Sequence, residues 1–367
     1  MTEIVISGTG LFTPSESITN EELVDSFNAY VKQANSQRPS EQQLAESSAE
    51  FILKASGIKR RYVMDKAGIL DPERMRPRLQ ARADDQPSLQ VEMGLAAAQE
   101  ALAQAGLEGG DLQAVLVACA NHQRPYPAIS IELQDRLGAP GFAYDMNVAC
   151  SSATFGIAQA AALVQSGAAQ RVLVVSPEIC TGHLNFRDRD SHFIFGDACT
   201  AVVVEAATTH QSSDPYRILG WKLATRFSNN IRNNCGFLTR CEDRAPDDPS
   251  LLFYQEGRKV FKEVTVAVAA LLEEHLAEHA IEPSSLKTLW LHQANASMNA
   301  LITKRLLGRE ASAQKVPVIL DEYANASSAG SVIAFHRHRA HLEPGDRGLL
   351  CSFGAGYSIG SVILEKL

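Results

Sequence analysis

The stretch "YDMNVACSSATFGIAQAAALV" (144–164) places a single thiol, Cys150, among Ala, Ser, Thr and Gly, where an extended run gives way to an Ala-rich helix. A free cysteine is often just a small buried hydrophobe. At a helix N-terminus it can instead be a nucleophile, because the dipole and free N–H groups favour the thiolate. Residues 142–149 read as a strand end and Ser151 onward as a helix, so the sequence predicts a nucleophile with a lowered pKa.

The groups that would complete such a site emerge from an internal repeat. At an offset of 176, "DMNVACSSATFGIA" (145–158) falls on "DEYANASSAGSVIA" (321–334), and "RVLVVS" (171–176) falls on "RGLLCS" (347–352). At 174, "AVLVACAN" (114–121) falls on "TLWLHQAN" (288–295). The chain therefore reads as two similar halves, 1–207 and 208–367. Cys150 faces Ala326 in the repeat, His292 faces Ala118, and Asn325 faces Ala149. Each polar group occurs once, opposite an inert residue. If the halves pack about a pseudo-twofold axis, the three come from equivalent loops and can converge on one site.

The elements that must position them alternate. Strand-like runs lie at 3–8, 112–120, 171–176, 200–206, 288–292, 316–320 ("VPVIL"), 347–353 and 360–365. Helical patterns at 91–105, 152–166, 258–276 and 297–307 separate several of them, which predicts a layered α/β fold. The charged segment "DKAGILDPERMRPRLQARADDQP" (65–87) reads as an excursion, either a lid or a dimer arm, and 235–250 as a second loop.

Composition narrows the function. The chain has 367 residues, 45% hydrophobic and 21% charged, with a net charge of −8, which argues against nucleic acid as a partner. Seven scattered cysteines without a CxxC pair point to a reducing cytoplasm and away from disulfides or a structural zinc. No run approaches a membrane span, and "MTEIVISGTG" reads as a strand rather than a signal peptide.

With these motifs in place, the sequence resembles the 3-ketoacyl-acyl-carrier-protein synthase III enzymes of the thiolase superfamily. The resemblance rests on "ACSS" at Cys150, "LHQAN" at His292, "ANASSAGS" at Asn325 and "FGAGYSIGS" at 353–361. It implies a five-layered αβαβα fold, a homodimer, and a Cys-His-Asn catalytic set needing neither metal nor organic cofactor. The implied reaction condenses an acyl-CoA primer with malonyl carried on acyl carrier protein. The resemblance further implies an oxyanion hole from the backbone N–H groups of Cys150 and Ala355. It places Phe51 and Arg189 at the coenzyme A nucleotide, Phe261 and Phe353 along the substrate tunnel, and Tyr126 at the primer pocket of a partner subunit. It assigns Lys262, Lys304 and Arg305 to carrier-protein docking.

Departures from the family pattern are Ala55, Ser297, Ala355 and the 65–87 insertion; they leave room for a primer longer than acetyl. Other readings are weaker. "GTG" and "FGAGYSIG" lack the context of a dinucleotide fingerprint. A cysteine hydrolase would not explain the repeat, and a noncatalytic partner subunit would not need all three polar groups. Head-to-head joining of two acyl-CoAs, or acyl transfer without decarboxylation, would use the same site.

Overall fold

The computed structural model describes residues 2–245 and 248–367. The first half comprises β1 (Ile4–Phe12), β2 (Glu16–Thr19), α1 (Asn20–Asn35), α2 (Ala49–Ser56), β3 (Arg60–Val63), α3 (Lys66–Leu70) and α4 (Leu89–Ala105). It continues with β4 (Ala114–Ala118), α5 (Ile129–Leu137), β5 (Phe142–Met146), α6 (Ser152–Ser166), β6 (Arg171–Ile179) and β7 (Asp197–Ala206). Then follow β8 (Tyr216–Ser228), β9 (Ile231–Arg232), β10 (Tyr254–Gln255), α7 (Gly257–Glu278), β11 (Thr288–Leu291) and α8 (Ala296–Leu307). The chain closes with α9 (Leu320–Tyr323), α10 (Ala329–Arg337), β12 (Arg347–Gly354) and β13 (Gly356–Lys366).

Several strands are apolar throughout because both their faces are covered. In β4, Ala114, Leu116 and Ala118 face a central core, while Val115 and Val117 face an outer one. The central core holds α6 and α10 between strands of both halves. One outer core carries α4 and α5, through Ala97, Leu102 and Leu133. The other carries α7 and α8, through Val264, Leu272 and Ile302. Helix, sheet, helix, sheet, helix: five layers result, as the resemblance implied.

The repeat is visible in the topology. Strands run in the order β11-β12-β13-β8-β1-β7-β6-β4-β5, hydrogen-bonded throughout. From β4 through β6 and β7 to β1 the pairings are parallel, antiparallel, antiparallel. From β11 through β12 and β13 to β8 they follow the same sequence. The equivalent loops at the strand ends carry Cys150, His292 and Asn325.

One expectation needs correction. Residues 316–320 occupy the place that β5 takes in the first half, and Leu289 N–H donates to Lys315 C=O at 2.7 Å. They form no strand, because the Gln293 Oε1 accepts from Ile319 and Leu320 N–H at 3.1 and 3.2 Å, and Leu320 already opens α9. The 65–87 excursion is anchored to its own chain along its first part. Ile69 and Met75 are buried in the core beneath α1 and α2. The Asp65 carboxylate accepts from Gly68 and Arg78 N–H, and Arg82 pairs with Glu92. Of the expected 235–250 loop, Pro246 and Asp247 lie outside the described residues; the remainder holds two 3₁₀ turns.

Candidate active site

Cys150 sits in a tight 3₁₀ turn, Ala149–Ser151, immediately before α6. Ala149 takes φ +47°, a left-handed conformation costing an L-residue about 1–2 kcal/mol. Local bonds hold it there. Asn147 Oδ1 accepts from Ala149 N–H at 2.9 Å, and Ser152 Oγ accepts from Val148 N–H at 2.8 Å. Ser151 and Ser358, hydrogen-bonded to each other at 2.9 Å, tie this turn to the start of β13. The end of β12 presses directly on Cys150. A Cβ built on Gly354 would lie 2.6 Å from Cys150 Cβ and 2.9 Å from its Sγ, so only glycine fits there.

His292 follows β11 and extends its ladder, donating its N–H to Cys351 C=O at 2.8 Å. Its ring stands edge-on to Phe353, with centroids 5.2 Å apart, and its carbonyl accepts from Asn299 Nδ2 at 2.9 Å. Asn325 is held on both sides of its peptide, by Ile194 C=O at 3.0 Å and Gly196 N–H at 3.2 Å. Its side-chain oxygen accepts from Ser327 N–H at 2.9 Å. With Oδ1 committed in this way, the amide nitrogen is the end available to a ligand.

Cys150, His292 and Asn325 line one cavity of about 530 Å³, together with Phe51, Phe261, Phe353 and Gly354. The convergence argued from the repeat is therefore met in the fold. Phe51 rests edge-on against Phe193, and the Arg189 guanidinium stacks 4.1 Å above its ring, so the two nucleotide candidates meet. Ala55 also lines the cavity, its carbonyl accepting from Asn295 Nδ2 at 2.8 Å. Tyr126 does not reach the cavity of its own chain and is 76% exposed. Lys262, Lys304 and Arg305 are exposed and have no ion-pair partner among the described residues; Lys262 lies on α7 and the other two at the far end of α8, and both helices border this cavity through Phe261 and Met298. Lys304 lines a separate groove with Ser297.

Sequence reasoning passed over Arg258, Val264, Phe195 and Met298, which also line the cavity. The signal for the first two was present: Arg258, Phe261 and Val264 recur every three residues on one face of α7. Arg258 brings an exposed cation to the cavity wall.

The charge state of the thiol corrects the sequence reading. Burial pushes Cys150 up to about 11, and the Glu178 carboxylate adds to the rise. The Ser327 hydroxyl and the N–H groups of Ala355 and Cys150 itself pull the other way and are outweighed. A 3₁₀ turn inside protein gives the sulfur too little help to offset desolvation. At physiological pH the group is then overwhelmingly the thiol. Alkylation of Cys150 by iodoacetamide, followed on its own peptide because Cys235 and Cys241 are exposed, should therefore rise about tenfold per pH unit from 7 to 10. A plateau below pH 8 would contradict this charge state. Burial also holds His292 down to about 4, so its imidazole is neutral at physiological pH.

Comparison with known proteins agrees with this geometry. Residues 144–225 match the family described as 3-oxoacyl-acyl-carrier-protein synthase III, and 276–366 match the C-terminal region of the same family. A beta-ketodecanoyl-acyl-carrier-protein synthase from Pseudomonas aeruginosa is 58% identical over 349 residues, covering 94% of this chain and 100% of that protein. A beta-ketoacyl-acyl-carrier-protein synthase III from Granulibacter bethesdensis is 28% identical, with 100% of both chains covered. The crystal structure of the synthase III from Aquifex aeolicus superimposes with a TM-score of 0.76 over 100% of both chains, at 24% identity, a likeness of fold. No described helix is long and apolar enough to cross a membrane.

Proposed function

Because the chain belongs to the 3-oxoacyl-acyl-carrier-protein synthase III family of condensing acyltransferases, we propose that it joins a medium-chain acyl-CoA to malonyl-acyl carrier protein, giving a 3-ketoacyl-acyl carrier protein, CO2 and coenzyme A. The observation that carries this reading is the lining of one cavity by Cys150, His292 and Asn325. The primer length follows from carbon balance with the 58% identical relative. A ten-carbon ketoacyl product, formed from a malonyl unit that loses one carbon as CO2, requires an eight-carbon primer.

In the first step the Cys150 sulfur attacks the thioester carbon of the acyl-CoA. The carbon–sulfur bond to coenzyme A breaks, and the thiol proton passes to the departing sulfur. The oxyanion is received by the N–H groups of Cys150 and Ala355, both of which already lie against the sulfur in the resting enzyme. In the second step malonyl thioester loses CO2, and the electrons of the broken bond collect on its carbonyl oxygen as an enolate. Neutral His292 and the free amide nitrogen of Asn325 donate to that oxygen. The enolate carbon then attacks the acyl-enzyme, and the bond to Cys150 breaks. The Cys150 thiolate released in this step takes a proton from solvent to restore the resting thiol, and the reading calls on no metal or organic cofactor.

For the partners, the reading takes acyl-CoA on Phe51 and Arg189, with Phe261 and Phe353 along the acyl path. A second copy of the chain is proposed to dimerise through the unpaired edge of β5, where Phe142 is exposed, and to place Tyr126 over the neighbouring primer pocket. A cytoplasmic location fits soluble substrates of this kind. Lys262, Lys304 and Arg305 are proposed to receive the acidic carrier protein. Opposite charges chiefly accelerate encounter and are screened by salt. Reversal of Lys304 and Arg305 to Glu should raise KM for malonyl-acyl carrier protein several-fold at low salt and leave acylation by acyl-CoA within about twofold. Unaltered carrier-protein kinetics would move docking to the cavity side of α7, where Arg258 lies.

A further inference from the structure

Beneath the nucleophile lies a carboxylate that the chemistry above does not use. Glu178, near the end of β6, is 1% exposed. Its Oε1 accepts three hydrogen bonds: from Ala120 N–H at 3.0 Å, from Ser328 N–H at 3.2 Å, and from the Ser328 hydroxyl. Its other oxygen accepts from the Cys180 thiol, at 3.9 Å. A fully buried carboxylate is costly unless hydrogen bonds or a paired charge offset its desolvation. Here it joins the loop after β4 in the first half to the turn before α10 in the second. The second of these is the turn that carries Asn325.

The Asn325 peptide is held by Ile194 and Gly196, and the Ser328 hydroxyl also reaches Ala118 C=O at 3.4 Å, but the side-chain amide of Asn325 is set by the turn itself. Ala324 and Ser327 both take left-handed backbone conformations, with φ +53° and +47°. Among the described residues Asn325 Oδ1 is fixed through Ser327 N–H, whose direction depends on where the next residue, Ser328, is anchored. The Ser327 hydroxyl lies between Cys150 and Glu178 and has no hydrogen bond of good geometry in the resting state. The anchor of Ser328 on Glu178 thus sets the angle at which Ser327 N–H meets Asn325.

We propose that Glu178 is a positioning residue for the decarboxylation half-reaction: through Ser328 it fixes the 325–328 turn so that Asn325 presents its amide nitrogen, not its oxygen, to the enolate. The inference rests on the role given to Asn325 above. Its expected mark is selective. Loss of the anchor lets the amide rotate and slows enolate formation, while the Cys150 turn, held by Asn147, Ser152 and Ser358, still takes up acyl groups.

The test measures two rates in each variant: acylation by octanoyl-CoA, read by intact mass, and CO2 release from malonyl-acyl carrier protein. Glu178→Leu removes every acceptor at nearly constant volume; it should slow CO2 release at least tenfold and keep acylation within about threefold. Glu178→Gln retains an oxygen for the same three donors and should recover most of the loss. Wild-type CO2 release in Glu178→Leu, or a Glu178→Gln enzyme as slow as Glu178→Leu, overturns the proposal. If Glu178→Leu fails to fold or loses both steps alike, Ser328→Ala decides: a selective loss of CO2 release supports the proposal, and wild-type rates or equal loss in both steps overturn it. Asn325→Ala is measured alongside. If Asn325→Ala is slow while the Glu178 and Ser328 variants are not, only this inference fails. If Asn325→Ala itself releases CO2 at the wild-type rate, the role of Asn325 fails with it.

Discussion

Cys150→Ser is expected to abolish acyl-enzyme formation and to lower condensation by at least about a thousandfold, without unfolding the protein. The substitution is nearly isosteric, so the cavity and the turn at Ala149 are retained. What changes is the acidity of the attacking group. Even the thiol, held at about 11 by burial, is mostly protonated at pH 7.5. A serine hydroxyl at the same site would be far harder to ionise, and His292, kept at about 4, is a poor base to assist it. Intact-mass measurement after incubation with acyl-CoA checks the first part, and turnover with malonyl-acyl carrier protein checks the second. A serine enzyme that condenses at more than a few per cent of the wild-type rate would require another nucleophile.

Replacing His292 or Asn325 by Ala should separate the two half-reactions. Each variant is expected to take up an acyl group on Cys150 and to lose decarboxylation by roughly a hundredfold, the effect of losing one donor of about 3 kcal/mol to a developing oxyanion. The structure strengthens the case for a neutral pair of donors. His292 stays unprotonated down to about pH 4, so the expected loss in His292→Ala is the same at pH 6 as at pH 8. A loss confined to acid pH would point to an imidazolium instead. The double variant should fall by less than the product of the two single losses, because both donors serve one oxygen. Failure at acylation alone, in either variant, would reverse the assignment of the two steps.

The candidate site was legible because a repeated fold puts its differences where its chemistry is. Cys150, His292 and Asn325 each stand opposite Ala in the other half, and the parallel-antiparallel-antiparallel order shared by the two sets of strands explains why equivalent loops meet. The acidity of Cys150 was not legible. It depends on how desolvation and Glu178 weigh against the Ser327, Ala355 and Cys150 donors around the sulfur, and neighbours in sequence carry no record of that. Residues 316–320 read as a strand because their composition matches an edge strand, yet one side chain, Gln293, took the hydrogen bonds that a strand needs. Strand β8 escaped notice because only Tyr216 and Ile218 are buried along it, and residues 223–227 are exposed. Glu178 was legible in retrospect: a lone carboxylate closing "RVLVVSPEI" sits where every neighbour is apolar or small. Its partners, Ala120 and Ser328, are 58 and 150 residues away, so only the fold could reveal its function.

The central claim, that Cys150 is the acyl carrier of a medium-chain condensing enzyme, is tested most directly by intact-mass measurement with acyl-CoAs from two to sixteen carbons, followed by peptide mapping. The account predicts a single acyl adduct on Cys150, formed fastest with the eight-carbon chain and discharged on addition of malonyl-acyl carrier protein to give a ten-carbon 3-ketoacyl product. Adducts on another residue, or a Cys150 adduct that malonyl-acyl carrier protein cannot discharge, would contradict it.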